Sequence, residues 1–204
     1  MRKNPTFASA VHPWSIHKRR HPMSDGASTK TRNLLFGIFA VISLVLDQWT
    51  KVLARTHLLP LGPWKTKVIV PNYFDLRYSE NTGVAFGMFQ RLSGGRILLT
   101  LVALAALLLV GYYLKRSGPR QFRLHIALGL IGGGAIGNLV DRIAFGKVTD
   151  FIVWHVGQHE WPAFNIADAA LVVGVALMAL DMLLDKHGQT TATETPPASA
   201  SREH

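Results

Sequence analysis

The chain has 204 residues, 49% hydrophobic and only 17% charged, with 22 Lys+Arg against 12 Asp+Glu, a formal net charge of +10 and no cysteine. A soluble domain carries about 25% charged residues, and disorder requires low hydrophobicity with high charge, so neither class fits. Zero cysteine excludes a disulfide scaffold, thiol catalysis and any Cys-ligated zinc or iron–sulfur site.

Residues 1–33 form a basic extension. Arg2, Lys3, Lys18, Arg19, Arg20, Lys30 and Arg32 face a single acid, Asp25. No apolar core of a cleavable signal peptide is visible in it. Two readings stay open: the chain starts at Met23 instead of Met1, or the cluster binds anionic lipid. The first apolar run follows, Leu34–Leu46, continuing through Asp47 to Thr50. It is expected to span the membrane as an uncleaved anchor, with Asp47 at its outer end.

Residues 51–96 carry Pro60, Gly62, Pro63 and Pro71, which break them into short pieces. Phe74, Leu76 and Tyr78 alternate with Asp75, Arg77 and Ser79, the pattern of a half-buried strand. Ile97–Leu114 is the clearest span, 18 residues without a charge. A buried soluble helix would keep a polar stripe; a membrane helix of about 20 apolar residues needs none. The loop 115–123 then holds Lys115, Arg116, Arg120 and Arg123 with no acid. With the N-terminal cluster it accounts for the whole positive excess. Basic clusters beside apolar runs follow the positive-inside rule, so both termini are expected in the cytoplasm. A phosphate-binding surface would instead interleave aromatics on one face, and no nucleic-acid partner is expected.

Leu124–Val140 is the third span and Ile166–Leu180 the fourth, with Asp168 near its start. Between them Lys147–Trp154 reads as a second strand. The fold class expected is an all-α membrane protein: four transmembrane helices with a small extracytoplasmic β-sheet and loop region. Residues 34–186 form the membrane domain. Residues 187–204, rich in Thr, Ala, Pro and Ser, are expected to be a disordered cytoplasmic tail.

This topology puts Asp47, Asp141, Asp150 and Asp168 at one level, the outer interface, with Asn81, Asn138 and Asn165. Ionisable groups at a membrane are costly and point to a site. Each also has an ordinary role: Asp47 pairs with Lys51 at i, i+4, Asp141 pairs with Arg142, Asn165 caps the fourth helix with Asp168 in its first turn, and Asp150 is solvated. Together they fit two chemistries, an aspartic peptidase in which two carboxylates share a proton around a water, and a carboxylate-lined ion path. The second would make the chain a small four-helix transporter or scaffold protein with an acidic ion-binding site. The lack of an inverted repeat favours the first. Ser93-Gly94-Gly95 is not a nucleophile elbow. His155, His159 and Glu160 lie in a segment broken by Gly157 and Pro162, so no metal is expected there. Gly129, Gly133 and Gly137 recur every four residues, a spacing that permits close helix approach. A neighbouring helix of the chain, a substrate helix, or each at different positions would pack on them.

Five motifs occur in order: Asp47-Gln-Trp-Thr-Lys51, Asn81-Thr-Gly-Val-Ala-Phe86, Gly137-Asn-Leu-Val-Asp-Arg142, Val148-Thr-Asp-Phe151 and Phe164-Asn-Ile-Ala-Asp168. Over residues 34–186 the chain resembles the bacterial lipoprotein signal peptidase (signal peptidase II) family. The resemblance implies an inner-membrane aspartic endopeptidase. Such an enzyme cleaves a diacylglyceryl-modified prolipoprotein just before its lipidated Cys. It implies Asp150 and Asp168 as the catalytic pair. Asn81, Gly83, Asn138 and Asn165 are expected to bind or orient substrate, with Asn138 and Asn165 donating near the scissile carbonyl and 81–86 lying against the lipid-modified Cys. Asp47, Lys51, Asp141 and Arg142 are expected to support the site, the last two as an ion pair. No cofactor is implied, and the chain is expected to act as a monomer in membrane lipid. The helix dipole at Asp168 leads to one further expectation, that Asp150 carries the shared proton.

Overall fold

The computed structural model describes residues 23–62, 65–83, 94–118, 121–157 and 159–193. Four long helices, α1 (Met23–His57), α2 (Gly94–Arg116), α3 (Phe122–Phe145) and α4 (Ile166–Thr193), alternate with four strands, β1 (Thr66–Val70), β2 (Phe74–Asn81), β3 (Val148–Val156) and β4 (His159–Glu160). A short 3₁₀ turn at Leu59–Leu61 ends the first helical unit. All four long helices are long and apolar enough to cross a membrane.

α3 is the centre of the bundle. It is buried along most of its length, while the other three expose most of their apolar surface. That is the inverse of a soluble bundle and places lipid, not water, around α1, α2 and α4. Close approach to α3 depends on its missing side chains. A Cβ on Gly129 would lie 2.7 Å from the Phe36 carbonyl oxygen of α1, and one on Gly134 would lie 2.6 Å from the Ala167 carbonyl oxygen of α4. Gly129, Gly133 and Gly137 all face α1. The neighbouring helix therefore occupies this stripe, which leaves no room there for a substrate helix. Val110 of α2 joins Leu124, Leu128 and Ile131 of α3 in a core cluster, with Leu114 and Met178 packed against it.

The strands form one sheet in the order β1-β2-β3-β4 at one end of the bundle. β2 and β3 are antiparallel, with Ser79 opposite Asp150 and Asn81 opposite Val148. The sheet docks through Phe151, which packs with Ala54 of α1 and with Leu58 just past its end. Trp154, Trp161 and Tyr73 stay exposed at this end, as aromatics do at a membrane interface.

Two boundaries differ from the sequence expectation. α1 starts at Met23, ahead of Leu34, and runs to His57. Asp47 is thus inside the helix and not at its end. The helix continues because Lys51 and Arg55, one and two turns on, find acidic partners within the bundle. At the other end the α4 backbone stays helical through Thr193, past the expected start of a tail at 187. Residues 1–22 and 194–204, most of the expected extension and tail, lie outside the described residues.

Candidate active site

The four acids do gather at the sheet end of the bundle, and their partners separate them into two kinds. Asp47 and Asp141 are completely buried and are neutralised by cations. The Lys51 ammonium lies 2.8 Å from Asp47 Oδ2 and 3.4 Å from Asp141 Oδ2. The Arg55 guanidinium lies 2.7 Å from Asp141 Oδ1. Gln48 Nε2 donates to Asp47 Oδ2 and to the Gly137 carbonyl oxygen, each at 3.0 Å. Asp141 Oδ2 also accepts the backbone N–H of Thr149 at 3.0 Å, which ties β3 to α3.

The expected Asp141–Arg142 ion pair does not form among the described residues. Adjacent helix positions point about 100° apart, so Asp141 turns to α1 and Arg142 turns away. Arg142 donates to the Asn138 carbonyl oxygen at 3.3 Å. It lines a groove with Arg96, Ile97, Thr100, Leu101 and Ile143 between α2 and α3.

Asp150 and Asp168 have no Lys or Arg within ion-pair distance among the described residues. Amides hold them instead. Asn165 Nδ2 donates to Asp150 Oδ1 at 2.6 Å, and the Asn81 side chain adds a second bond to Asp150. Asn138 Nδ2 donates to Asp168 Oδ1 at 2.8 Å. Asn165 and Asp168 also cap α4 reciprocally. Asn165 Oδ1 accepts the Asp168 N–H at 3.0 Å, and Asp168 Oδ2 accepts the Asn165 N–H at 3.2 Å. This is the geometry of a capping box. It fixes Asp168 in the first turn of α4, where the dipole favours negative charge. Finally, Asn165 Nδ2 donates to Asn138 Oδ1 at 3.2 Å. The result is one chain of bonds from Asp150 through Asn165 and Asn138 to Asp168.

Asn138 and Asn165, expected to donate near the scissile carbonyl, donate in this structure to the two carboxylates. Gly83 has φ of +82°, and a Cβ on it would lie 2.9 Å from the Gly95 carbonyl oxygen. Only glycine fits this turn. Its N–H donates to Asn81 Oδ1 at 2.9 Å, which leaves the Asn81 Nδ2 for Asp150. Val84, Ala85 and Phe86 of that motif lie outside the described residues.

Asp150 is only 2% exposed. Burial, and then the charge of Asp168, push its pKa up to about 6, against the pull of Asn81, Asn165 and Lys51. Asp168 in contrast opens into a cavity of about 450 Å³ lined by Trp154, Trp161, Phe164, Val172 and Val173. One carboxyl is buried with a raised pKa, and the other meets an apolar cavity.

Elsewhere in the sheet His155 Nε2 lies 2.7 Å from Asp75 Oδ2, and Glu160 pairs with Arg77. That pairing holds the Glu160 carboxyl below its usual range. No group of three or more His, Asp or Glu able to hold a metal ion is found among the described residues.

A family profile described as Signal peptidase (SPase) II matches residues 39–184. The chain belongs to the signal peptidase II family. It is a peptidase and a multi-pass bacterial membrane protein. It is 40% identical to a lipoprotein signal peptidase of Symbiobacterium thermophilum, over 72% of this chain and 93% of the relative. It is 43% identical to one of Pseudomonas fluorescens, over 72% and 86%. A solved bacterial membrane enzyme superposes with a TM-score of 0.63 at 28% identity, covering 78% of this chain and 94% of that one. A second gives 0.62 at 26% identity, covering 88% and 96%. All five motifs that carried the resemblance to signal peptidase II lie inside the matched range.

The sequence missed Gln48, Arg55, Trp154 and Trp161. A usable signal existed for Arg55: Asp47, Lys51 and Arg55 recur every four residues and share one helix face.

Proposed function

We propose that the chain is an aspartic endopeptidase that removes the signal peptide from diacylglyceryl-modified prolipoproteins, cutting just before the lipidated Cys. One observation carries this reading. Of four clustered acids, Asp150 and Asp168 alone lack cationic partners among the described residues, and they are joined through shared amide donors. Acids neutralised by Lys or Arg are poor proton carriers; a pair held by neutral donors can exchange one proton.

In the proposed cycle Asp150 is protonated and Asp168 ionised. Asp168 takes a proton from a water, whose oxygen adds to the scissile carbonyl carbon. Asp150 gives its proton to the carbonyl oxygen. The tetrahedral intermediate then collapses: the C–N bond breaks, Asp168 returns its proton to the leaving nitrogen, and Asp150 recovers one from the hydroxyl. The products are a signal peptide carboxylate and a free amino group on the lipidated Cys. No cofactor takes part. Lys115 and Arg116 end α2 at the bundle end away from the sheet, and a basic cluster there supports a cytoplasmic location for both termini and an extracytoplasmic site at the inner membrane. The enzyme acts as a monomer.

The test is cleavage of a diacylglyceryl-modified prolipoprotein by purified protein in detergent. Asp150→Asn and Asp168→Asn, each shown to be folded, should lose about 10³-fold or more, since each removes a general acid or base. A folded variant that keeps most of its activity overturns the pair assignment. A wild type inert on that substrate overturns the peptidase reading in favour of an ion-binding role.

A further inference from the structure

The fully buried Lys51 takes no part in the proposed cycle, yet its ammonium reaches the amides that orient the acids. Lys51 Nζ donates to Asn138 Oδ1 at 2.9 Å. Its other partners are Asp47 at 2.8 Å and Asp141 at 3.4 Å. An ammonium has three donors and no acceptor, so all three are used.

We propose that Lys51 is a positioning residue for the catalytic pair: by holding Asn138 Oδ1 it commits the opposite end of that amide, Nδ2, to Asp168. The inference rests on the assignment of Asp150 and Asp168 as the pair.

An amide oxygen has two lone pairs and an amide nitrogen only donors. Asn138 Oδ1 accepts from Lys51 and from Asn165 Nδ2. Rotating the amide by half a turn would set its NH₂ against an ammonium and another NH₂, and its oxygen against a carboxylate. Three contacts would turn repulsive at a site with almost no water. Without Lys51 the strongest of the three selecting contacts is gone, only the neutral Asn165 amide and Asp168 itself hold the orientation, and the Asn138 donor to Asp168 Oδ1 is lost for part of the time. The counter-ions Asp47 and Asp141 keep Lys51 charged in its buried place. Lys51 also acts at a distance on Asp150. The groups facing Asp150 are Asp168 and Asn165 from α4 and its cap, Asn81 from β2, Lys51 from α1 and Arg142 from α3. A cation removed from this set favours the protonated form of Asp150.

The experiment compares Lys51→Met, the charge-balanced pair Asp47→Asn with Lys51→Met, Asn138→Ala, and Lys51→Met with Asn138→Ala. Each is shown to be folded by thermal unfolding in detergent. The charge-balanced variant strands no buried carboxylate at position 47 and guards against simple misfolding. Misplacing a catalytic group by about 1 Å costs on the order of 100-fold. Both Lys51 variants should lose about that in kcat, with KM within about threefold of wild type. The alkaline limb of Lys51→Met activity should move to higher pH, with a smaller shift in the charge-balanced variant, a difference that a purely structural role would not produce. Loss in the Lys51→Met, Asn138→Ala variant should match that of Asn138→Ala within about threefold, because the two act in series. A folded charge-balanced variant with wild-type kcat overturns the inference. So do multiplicative losses in the double variant, and so does a loss confined to KM. Asp150→Asn and Asp168→Asn run beside them separate the two levels: if these stay active, the catalytic reading falls and this inference falls with it.

Discussion

Asp47 of α1 accepts the backbone N–H of Ala167 at the start of α4, at 2.9 Å and across 120 residues of sequence. A helix leaves its first N–H groups without internal partners, and here an acid from another helix supplies one. The same carboxylate holds Lys51 through its second oxygen. One side chain therefore sets where α4 begins and what Asn138 faces.

Replacing Asp47 by alanine should strand both a buried ammonium and a buried N–H. Breaking one side of a buried pair costs about 3–5 kcal/mol. Asp47→Asn keeps an acceptor for Ala167 and should cost less, about 1–2 kcal/mol. Thermal unfolding of both variants in detergent checks the order. Equal losses would mean that the Ala167 contact adds nothing.

Glycine spacing gives a second comparison. A Cβ on Gly137 would lie 2.5 Å from Asp47 Oδ2, whereas one on Gly111 of α2 meets nothing within 4 Å. Gly137→Ala should push α1 off α3 and disorder the acids, with loss of about 1–3 kcal/mol and of most activity. Gly111→Ala should be neutral, or stabilising by less than about 1 kcal/mol, from helix propensity alone. The pair of melting curves, read with cleavage rates, tests whether proximity and not glycine content is what matters.

Much of this was legible in the sequence because the membrane imposes simple rules. Ile97–Leu114 could be little else than a span, and the alternation at Phe74–Ser79 reads directly as β2. The level of the four acids followed from counting spans. Helix ends were less legible, since an uncharged run stops at the first acid while a helix stops where its hydrogen bonds do. Asp47 was misplaced for that reason. The Asp141 partner was missed because neighbours in sequence point apart on a helix, while its true partners, Lys51 and Arg55, lie on α1. The division of four acids into two neutralised and two free depends wholly on contacts between α1, α3, β3 and α4, which no local pattern records.

The pH dependence of cleavage should show the raised Asp150 carboxyl. The proposed cycle needs it protonated, and its pKa is pushed up to about 6 by burial and by Asp168. Activity should therefore fall as pH rises through about 6, with an apparent value that belongs to the pair and not to one residue. A rate profile from pH 4.5 to 8.5 on a lipidated substrate measures it. A flat profile across that range would remove Asp150 as the general acid.

The same shift predicts a stability effect that is independent of substrate. Asp150 titrates near 6 when folded and near its ordinary value of 3.8 when exposed. Between those values the folded chain holds more protons than the unfolded one, so stability falls as pH rises from about 4 to about 6 and stays lower above that. The buried carboxylate is thus a cost above pH 6. Asparagine cannot ionise and still offers Asn165 an acceptor, so Asp150→Asn should be more stable than wild type at pH 8, by about 1–2 kcal/mol. For a chain of this size that is roughly 2–8 °C in Tm. The gap should close toward pH 4, where wild-type Asp150 is protonated as well. Melting curves of the two proteins at pH 4.5, 6 and 8 give the comparison. A gap independent of pH would trace the gain to packing and not to the charge, and a variant less stable than wild type at pH 8 would mean that the Asn81 and Asn165 donors outweigh the cost of burying Asp150.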